Sequence, residues 1–450
     1  MRPRHLVVIG FVGAILLGAF LLMLPVSSPS NTWMRPMDAI FTACSAVCIT
    51  GLTVIDIGTQ LSFFGQCVML ALVQLGCVGL MTLGTFFLVL MGRRLSLSSE
   101  FSLADAYGTS GVRGLRSLIV WVVLSMLVLE MLGTLALHAL FDADPDAAAY
   151  SDGMLWFRAY FYSVMAFCNA GFSLDPGSLA VFRAQPLVLV TMSLLVIAGG
   201  FGFLVIYNLC TFQFWRRNLM KRGRISLHTR VVLTVSAAFL LMMFAVVLLL
   251  EWNRTLAPFA WTEKLAIGFF QAVTPRTCGF TVVPVHEMHA ATRFLSEVLM
   301  FIGAAPGGAG GGIKVTTFMV FAITLFAIYR GRTETVLFMR TVPEAIVRES
   351  ILIVTVFGAL VTMGMTLLLV TEGANESLTF ESLLFETISA VSTTGLSLDT
   401  TTASLSTAGR VVLMLCMFSG RLGALAVVLL IGGNESRPTI RYPREELVVG

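Results

Sequence analysis

Four short segments, each a semi-apolar run that ends in a glycine motif, recur between longer apolar stretches of the chain. They read AIFTACSAVCITGLTVID, AYFYSVMAFCNAGFSLDP, GFFQAVTPRTCGFTVVPV and LFETISAVSTTGLSLDTT. Their glycines are Gly51, Gly171, Gly279 and Gly395, which lie 120, 108 and 116 residues apart. A near-regular period of this kind is typical of repeated structural units. The repetition therefore predicts a fold built from four similar parts.

The composition indicates where those parts lie. Of the 450 residues, 57% are hydrophobic and only 12% are charged, which excludes an ordinary soluble protein and indicates a helical protein with several membrane spans. The chain starts with basic residues followed by an apolar run of more than 20 residues. A signal peptide has a shorter apolar core and a small-residue cleavage site, so we interpret this run as a retained first membrane helix.

Basic residues predict the orientation, because cytoplasmic segments carry an excess of Lys and Arg. Five clusters hold 19 of the 29 basic residues. The clusters are Arg2 and Arg4; Arg93, Arg94, Arg113 and Arg116; Arg216, Arg217, Lys221, Arg222, Arg224 and Arg230; Arg330, Arg332, Arg340 and Arg348; and Arg437, Arg441 and Arg444. Both termini are then expected in the cytoplasm. The net charge of +4 gives no indication of a nucleic-acid partner.

Each short segment is too short to cross a membrane, since a spanning helix needs about 20 residues. It must therefore enter from the outside and turn back between two spanning helices. The predicted fold is an all-α polytopic membrane protein with four helix–pore loop–helix repeats and pseudo-fourfold symmetry around one central pore. The predicted repeats cover residues 1–94, 113–217, 228–332 and 348–433, followed by a cytoplasmic tail over residues 434–450.

Non-helical backbone at membrane depth is tolerated only where protein buries it or where it lines an aqueous path. Four glycine-centred loops around one axis can direct backbone carbonyls at a common point, and such a ring replaces the hydration shell of a monovalent cation. Glycine permits the positive φ that the turn needs. The carboxyl ends of four short helices also favour a cation. Flexible interfacial loops are the alternative, but four similar motifs at similar spacing argue against them.

At these residues the sequence resembles the Trk/Ktr/HKT superfamily of potassium transporters. The resemblance is carried by CITGLT, CNAGFS, TCGFT and STTGLS, by the glycine-rich stretch GAAPGGAGGGIKVTT and by SGRLGAL. It is closest to the bacterial Ktr-type membrane subunit, since the chain begins directly with the first repeat. The resemblance implies potassium uptake across the bacterial cytoplasmic membrane and a homodimer. It also implies a cytoplasmic nucleotide-binding, RCK-type ring made by a separate protein. The chain itself has no Walker or Rossmann motif.

The resemblance also assigns ion-lining residues in a selectivity filter. They are Ile49, Thr50, Gly51, Asn169, Ala170, Gly171, Thr277, Cys278, Gly279, Thr393, Thr394 and Gly395. In this superfamily a serine in the first loop goes with sodium transport, so Gly51 favours potassium. A sodium-conducting or sodium/potassium-cotransporting member remains the alternative, and sodium remains open as an activator. Potassium is the expected substrate, with no tightly bound cofactor and no enzymatic activity.

The third repeat contains a predicted break. Residues 296–329 form an apolar stretch that would be about 51 Å long as one helix, against a hydrocarbon core of about 30 Å. Glycine, alanine and proline fill Gly303 to Gly312, so the helix should break there, and in the third repeat alone. We expect an intramembrane gate below the filter, with Lys314 holding the loop backbone and Arg421 contacting it. The predicted gate residues are Gly303, Pro306, Gly307, Gly308, Gly310, Gly311, Gly312, Lys314 and Arg421.

Three further polar groups have more ordinary interpretations. Glu130 and His138 could form a proton relay, but an interhelical hydrogen bond or a position near the outer mouth is favoured. The HEMH stretch lacks the helical histidine spacing of a zinc site and is interpreted as outer surface. The acidic residues Asp142, Asp144, Asp146 and Asp152 form a solvated loop that can also raise the local cation concentration.

Overall fold

The computed structural model describes residues 3–90, 112–143, 150–211, 225–332, 334–373, 375, 378–398 and 401–423. The α-helices are α1 (Pro3–Met23), α2 (Pro36–Val47), α3 (Ile57–Gln60), α4 (Phe63–Leu90), α5 (Val112–Asp142), α6 (Asp152–Phe167), α7 (Pro186–Phe201), α8 (Phe203–Thr211), α9 (Leu227–Glu251), α10 (Trp261–Val273), α11 (Ala290–Phe301), α12 (Val315–Tyr329), α13 (Glu344–Glu372), α14 (Phe380–Val391), α15 (Thr401–Ser404) and α16 (Thr407–Leu422). Short 3-10 helices cover Pro25–Ser27, Ala180–Phe182 and Val285–Glu287.

A small hairpin departs from the all-α prediction. Strand β1 (Val336–Leu337) pairs antiparallel with β2 (Arg340–Thr341) in the segment between α12 and α13. Phe338 and Met339 form the turn, and both have the positive φ that a two-residue hairpin requires. The predicted tail over residues 434–450 lies outside the described residues.

Several helices are long and apolar enough to cross a membrane. Among the described residues, three qualify on length and composition: Val120–Asp142, Leu227–Glu251 and Glu344–Glu372. The pair Pro186–Phe201 and Phe203–Cys210 would be a fourth if counted as one span, but it is bent by 99°. The chain is thus a mostly helical protein of membrane type.

The four short helices α2, α6, α10 and α14 lie inside the bundle. Each is 12 to 16 residues long, too short to span, and its residues are largely buried. All four place a phenylalanine ten residues before the glycine; Phe41, Phe161 and Phe385 are fully buried, and Phe269 is half-buried. Burial of such aromatic side chains anchors the short helices between the long ones.

The packing of the short helices runs in a closed order. Each contacts the long helix that precedes it: α2 contacts α1, α6 contacts α5, α10 contacts α9 and α14 contacts α13. Each also contacts one helix of the preceding quarter of the chain, since α6 contacts α4, α10 contacts α7 and α14 contacts α11. The order closes because α2 contacts α16. The first and last quarters of the chain are therefore neighbours.

Two apolar stretches are broken in the structure, whereas the sequence predicts one break. The predicted break lies between Phe301 and Val315, and residues 302–314 between them form what we call the small-residue loop. The prediction that only this helix breaks is wrong, because α7 also ends at Gly202, where φ is 78° and the chain turns by 99° into α8. Glycine adopts this left-handed conformation without a Cβ clash, which ends the helix.

Candidate functional site

The glycine loops, residues 48–51, 168–171, 274–279 and 392–395, follow the carboxyl ends of α2, α6, α10 and α14. In each loop the glycine and the residue two positions before it have positive φ, between 49° and 93°. These residues are Ile49 and Gly51, Asn169 and Gly171, Thr277 and Gly279, and Thr393 and Gly395. A left-handed backbone at a non-glycine residue costs about 1–2 kcal/mol. The same strained conformation at four places indicates a functional constraint on the backbone.

Three loops are held by the same hydrogen bond. The N–H of the residue before the glycine donates to a carbonyl five residues earlier: Thr50 to Ser45, Ala170 to Met165 and Thr394 to Ser389, each at 2.8 Å. In the first and fourth loops the serine side chain also accepts from the glycine N–H, at 3.1 Å for Gly51 and 3.0 Å for Gly395. These bonds fix the loop backbone to its own short helix.

The third loop is different. Gly279 is the sixth residue after its helix, whereas the other three glycines are the fourth after theirs. Cys278 N–H donates to the Thr274 carbonyl at 3.1 Å, and the Thr274 hydroxyl donates to the Phe280 carbonyl at 2.5 Å. Proline and arginine at 275 and 276 occupy the two extra positions.

The four glycines face one another in a closed cycle. The glycine of each of the first three loops lies against a carbonyl oxygen of the next loop, on the residue just before that loop's glycine. The glycine of the fourth loop lies in the same way against the first loop, which closes the cycle. A Cβ atom added at Gly51 would meet the Ala170 carbonyl oxygen at 2.5 Å, and one added at Gly171 would meet that of Cys278 at 2.7 Å. A Cβ added at Gly279 would meet the Thr394 carbonyl oxygen at 2.5 Å, and one added at Gly395 would clash with that of Thr50. Backbone atoms therefore surround the centre, and no side chain fits at the glycines.

The structure thus brings all four predicted loops to one place. Eight of the twelve predicted residues form the cycle, namely the four glycines and the residue before each of them. The other four, Ile49, Asn169, Thr277 and Thr393, are the left-handed residues just before it. Thr277 and Thr393 lie next to Gly310 and Gly311 of the small-residue loop, where an added Cβ would clash with their hydroxyl oxygens.

Sequence reasoning missed the polar side chains behind the second and fourth loops. Tyr162 and Glu386 occupy equivalent positions, nine residues before Gly171 and Gly395. Each also bonds to the serine two residues after its glycine. The signal in the sequence is a polar residue within an otherwise apolar short helix, at a fixed distance from the glycine.

The two clusters differ in their chemistry. The Tyr162 hydroxyl donates to Asp175 Oδ2 at 2.5 Å, and Arg158 pairs with the same oxygen at 2.7 Å. Glu386 Oε1 accepts from the Ser397 hydroxyl at 2.7 Å and from the Thr402 hydroxyl, while its Oε2 has no hydrogen-bond partner among the described residues. Both clusters tie the segment after the glycine back to the short helix.

Glu130 lies behind the second loop. It is fully buried, accepts from Gln74 Nε2 at 2.7 Å, and accepts from the Cys168 thiol at 3.6 Å. The favoured interhelical hydrogen bond is therefore observed, between α5 and α4. His138 instead contacts Asp152 at 3.4 Å and stacks on Trp156.

His289 of the HEMH stretch is exposed and caps α11 by accepting the Ala291 N–H at 3.1 Å. Asp142 and Asp152 of the acidic cluster are exposed. The remaining members, Asp144 and Asp146, lie outside the described residues.

The small-residue loop docks into the break between α7 and α8. Its N–H groups at Ala305 and Ala309 donate to the carbonyls of Gly200 and Gly199, at 3.0 and 3.1 Å. In return, Phe203 N–H donates to the Gly307 carbonyl at 3.3 Å. Each partner thus satisfies backbone groups that the broken helix leaves unpaired.

Two cationic side chains hold the same loop, as the sequence predicts. Lys314 Nζ donates to the Gly310 carbonyl at 2.7 Å. Arg421, which is 2% exposed, donates from Nη1 to the Ala309 carbonyl at 2.8 Å and from Nη2 to the Gly76 carbonyl at 3.3 Å. Arg421 thereby links the small-residue loop to α4 and α16.

Comparison with known proteins gives the same family throughout. The family model "TrkH: Cation transport protein" matches residues 6–435. The chain is 34% identical to Ktr system potassium uptake protein B of Bacillus subtilis, covering 100% of this chain and 97% of that one. It is 32% identical to potassium/sodium uptake protein NtpJ of Enterococcus hirae, covering 100% and 98%.

A solved structure agrees in fold. The crystal structure of the potassium transporter TrkH from Vibrio parahaemolyticus superposes with a TM-score of 0.66 at 17% identity, covering 94% of this chain and 84% of that one. The match of the family model over nearly the whole chain establishes that the chain belongs to the TrkH family of cation transport proteins.

Proposed function

We propose that this chain is the potassium-translocating subunit of a bacterial uptake system and not an enzyme. The observation that carries the proposal is the closed cycle of four glycine loops, whose centre is lined by backbone. Backbone carbonyls can replace the hydration shell of a monovalent cation, which is the chemistry that a selectivity filter needs. In this proposal K⁺ is the substrate, bound at the twelve filter residues.

The electrostatic setting supports a cation. All four short helices approach the cycle with their carboxyl ends, where the helix dipole is negative. Carboxyl groups that form no ion pair among the described residues, Glu386 and Glu130, lie behind two of the loops. These features favour a positive charge at the centre.

In the proposed architecture, four helix–pore loop–helix repeats surround one pore with pseudo-fourfold symmetry. The closed packing order of α2, α6, α10 and α14 supports this arrangement. The two extra residues before Gly279 would make the third quarter the least regular one.

The small-residue loop is the proposed gate. It lies against Thr277 and Thr393, and Arg421 donates a hydrogen bond to its Ala309 carbonyl. A positive charge at Arg421 opposes the passage of cations while the loop stays in place.

Regulation is proposed through assembly. We propose a homodimer in the bacterial cytoplasmic membrane, with both termini in the cytoplasm, that binds an RCK-type nucleotide-binding ring. The name of one relative, a potassium uptake protein of the "Ktr system", supports a protein that works with others. Sodium transport is the second candidate, since another relative is named a potassium/sodium uptake protein.

The test of the proposal is Gly51→Ser. At Gly51 a Cβ would meet the Ala170 carbonyl oxygen at 2.5 Å, and φ is +93°, so serine must displace one quarter of the cycle. We expect weaker discrimination of potassium from sodium, measured as competition of sodium against rubidium uptake into proteoliposomes. Gly153→Ser is the matched control, because nothing lies within 4 Å of a Cβ there. If folded Gly51→Ser keeps the wild-type selectivity ratio, the filter assignment is wrong.

A further inference from the structure

A cavity of about 270 Å³ lies beside the small-residue loop. Its walls come from the end of α7, the middle of α9, the residues after α10 and Ala304. Most of the lining is apolar, including Phe201, Leu233 and Leu240, and the two polar side chains that line it are Ser236 and Arg276. The cavity is therefore a hydrocarbon-like space with one cationic side chain in its wall.

Arg276 is incompletely paired. Its Nη2 donates to the Ser236 hydroxyl at 3.0 Å, while its buried Nε has no hydrogen-bond partner. Within the described part of the chain, Arg276 forms no ion pair. Ser236 is the tenth residue of α9, so the guanidinium lies about 15 Å along this span. A cation at that depth is costly unless an anion or a water-filled space compensates it.

We propose that this cavity binds a fatty acid, with its carboxylate on Arg276 and its chain along the apolar walls. The terminal nitrogens of the Arg276 guanidinium can donate to the two oxygens of a carboxylate, which is the anion whose geometry this group matches. A carboxylic acid can reach this depth as the uncharged acid, whereas the phosphate of a phospholipid stays ionised and at the surface. The bilayer beside the helices is the source of such a molecule.

The position of the cavity implies a consequence for the gate, which rests on the proposed function. Gly200 and Ala304 line the cavity, and the neighbouring Ala305 N–H donates to the Gly200 carbonyl. A chain in the cavity would contact the junction between α7 and the small-residue loop. We expect an occupied cavity to change the rate of rubidium flux.

Binding of radiolabelled palmitate to the purified chain, in nanodiscs stripped of free fatty acid, tests the site. We expect saturable binding to wild type and about tenfold or weaker affinity in Arg276→Gln, since a charge-assisted pair is lost. Arg348→Gln, at an exposed arginine that pairs with Glu344, is the matched control and should bind as wild type. Methyl palmitate, which keeps the chain and lacks the charge, should not compete.

A second variant keeps the site testable if Arg276→Gln does not fold. Ala237→Leu keeps Arg276 and reduces the cavity volume, so it should also weaken palmitate binding. Wild-type affinity in both variants, or equal competition by methyl palmitate, would overturn the site. If the chain binds palmitate but transports no rubidium, the transport proposal is contradicted and the fatty-acid site is not. The two results are distinguishable because the binding assay does not depend on flux.

Discussion

Glu386 is a fully buried carboxyl that holds the segment after the fourth glycine loop. Its Oε1 accepts from Ser397, two residues after Gly395, and from Thr402. A buried hydroxyl that loses its acceptor keeps the full desolvation penalty of about 1–3 kcal/mol. The carboxyl therefore stabilises both the fold and the position of the loop that follows the glycine.

We expect Glu386→Ala to lower both thermal stability in detergent and potassium-over-sodium selectivity. The half-buried Ser397 hydroxyl and the buried Thr402 hydroxyl lose an acceptor, and the segment after Gly395 loses these ties to α14. Glu386→Gln keeps an acceptor oxygen and should lie between alanine and wild type. Glu381→Ala is the control, because this exposed residue forms only a surface ion pair with Arg293, worth about 0–1 kcal/mol. Scanning fluorimetry and rubidium competition measure both effects. If alanine at 386 behaves like the Glu381 control, the anchoring role is refuted.

At the scale of secondary-structure elements, the two helix breaks supply hydrogen-bond partners to each other. The last turn of α7 has carbonyls without helical partners, and α8 starts with an unpaired N–H. The small-residue loop supplies the partners through Ala305, Ala309 and Gly307. Each unsatisfied backbone group in the bilayer costs several kcal/mol, so neither break is stable without the other.

Gly202→Ala should loosen this junction. The residue has φ of 78°, which is strained for alanine by about 1–2 kcal/mol, and a Cβ would meet the Pro306 carbonyl oxygen at 2.6 Å. We expect higher rubidium flux in the absence of any regulatory partner. Gly200→Ala is the control, since its Cβ meets only the Asn169 side chain, at 3.6 Å. Equal rubidium flux in the two variants would show that the α7 break does not control the gate.

Deletion of Gly307–Gly311 tests the gate directly. Without these residues the small-residue loop cannot reach Thr277 and Thr393, so potassium flux should rise and depend less on the regulator. Arg421→Ala should act in the same direction but more mildly, because Lys314 still holds the Gly310 carbonyl. Rubidium uptake into proteoliposomes, with and without the regulator, measures the change. A deletion variant that inserts correctly and transports no faster than wild type alone would exclude the loop as the gate.

For the whole molecule, we predict a homodimer whose tail contributes to the interface. Residues 434–450 carry Arg437, Arg441 and Arg444 together with Glu445 and Glu446, so two copies related by a twofold axis can pair opposite charges reciprocally. Cross-linking in native membranes should capture dimers, and truncation after residue 433 should reduce them. Monomers alone from the full-length chain would contradict the prediction.

Much of this architecture could be predicted from local sequence. Apolar length, basic clusters and four glycine motifs predict membrane helices with short helices between them, because spanning length and glycine conformation are local properties. The break at Gly303–Gly312 was predictable for the same reason, and so were the contacts of Lys314 and Arg421, since a cation within an apolar segment needs an acceptor.

Tertiary structure alone decided the rest. The break at Gly202 has a weak local signal, because an isolated glycine is tolerated in a helix, and it is stabilised by carbonyl and N–H partners more than 100 residues away. Likewise, Glu386, Tyr162 and Arg276 acquire their significance from neighbours that the fold supplies. The closed cycle, in which Gly395 meets Thr50, joins the two ends of the chain, and no local pattern encodes a contact of that separation.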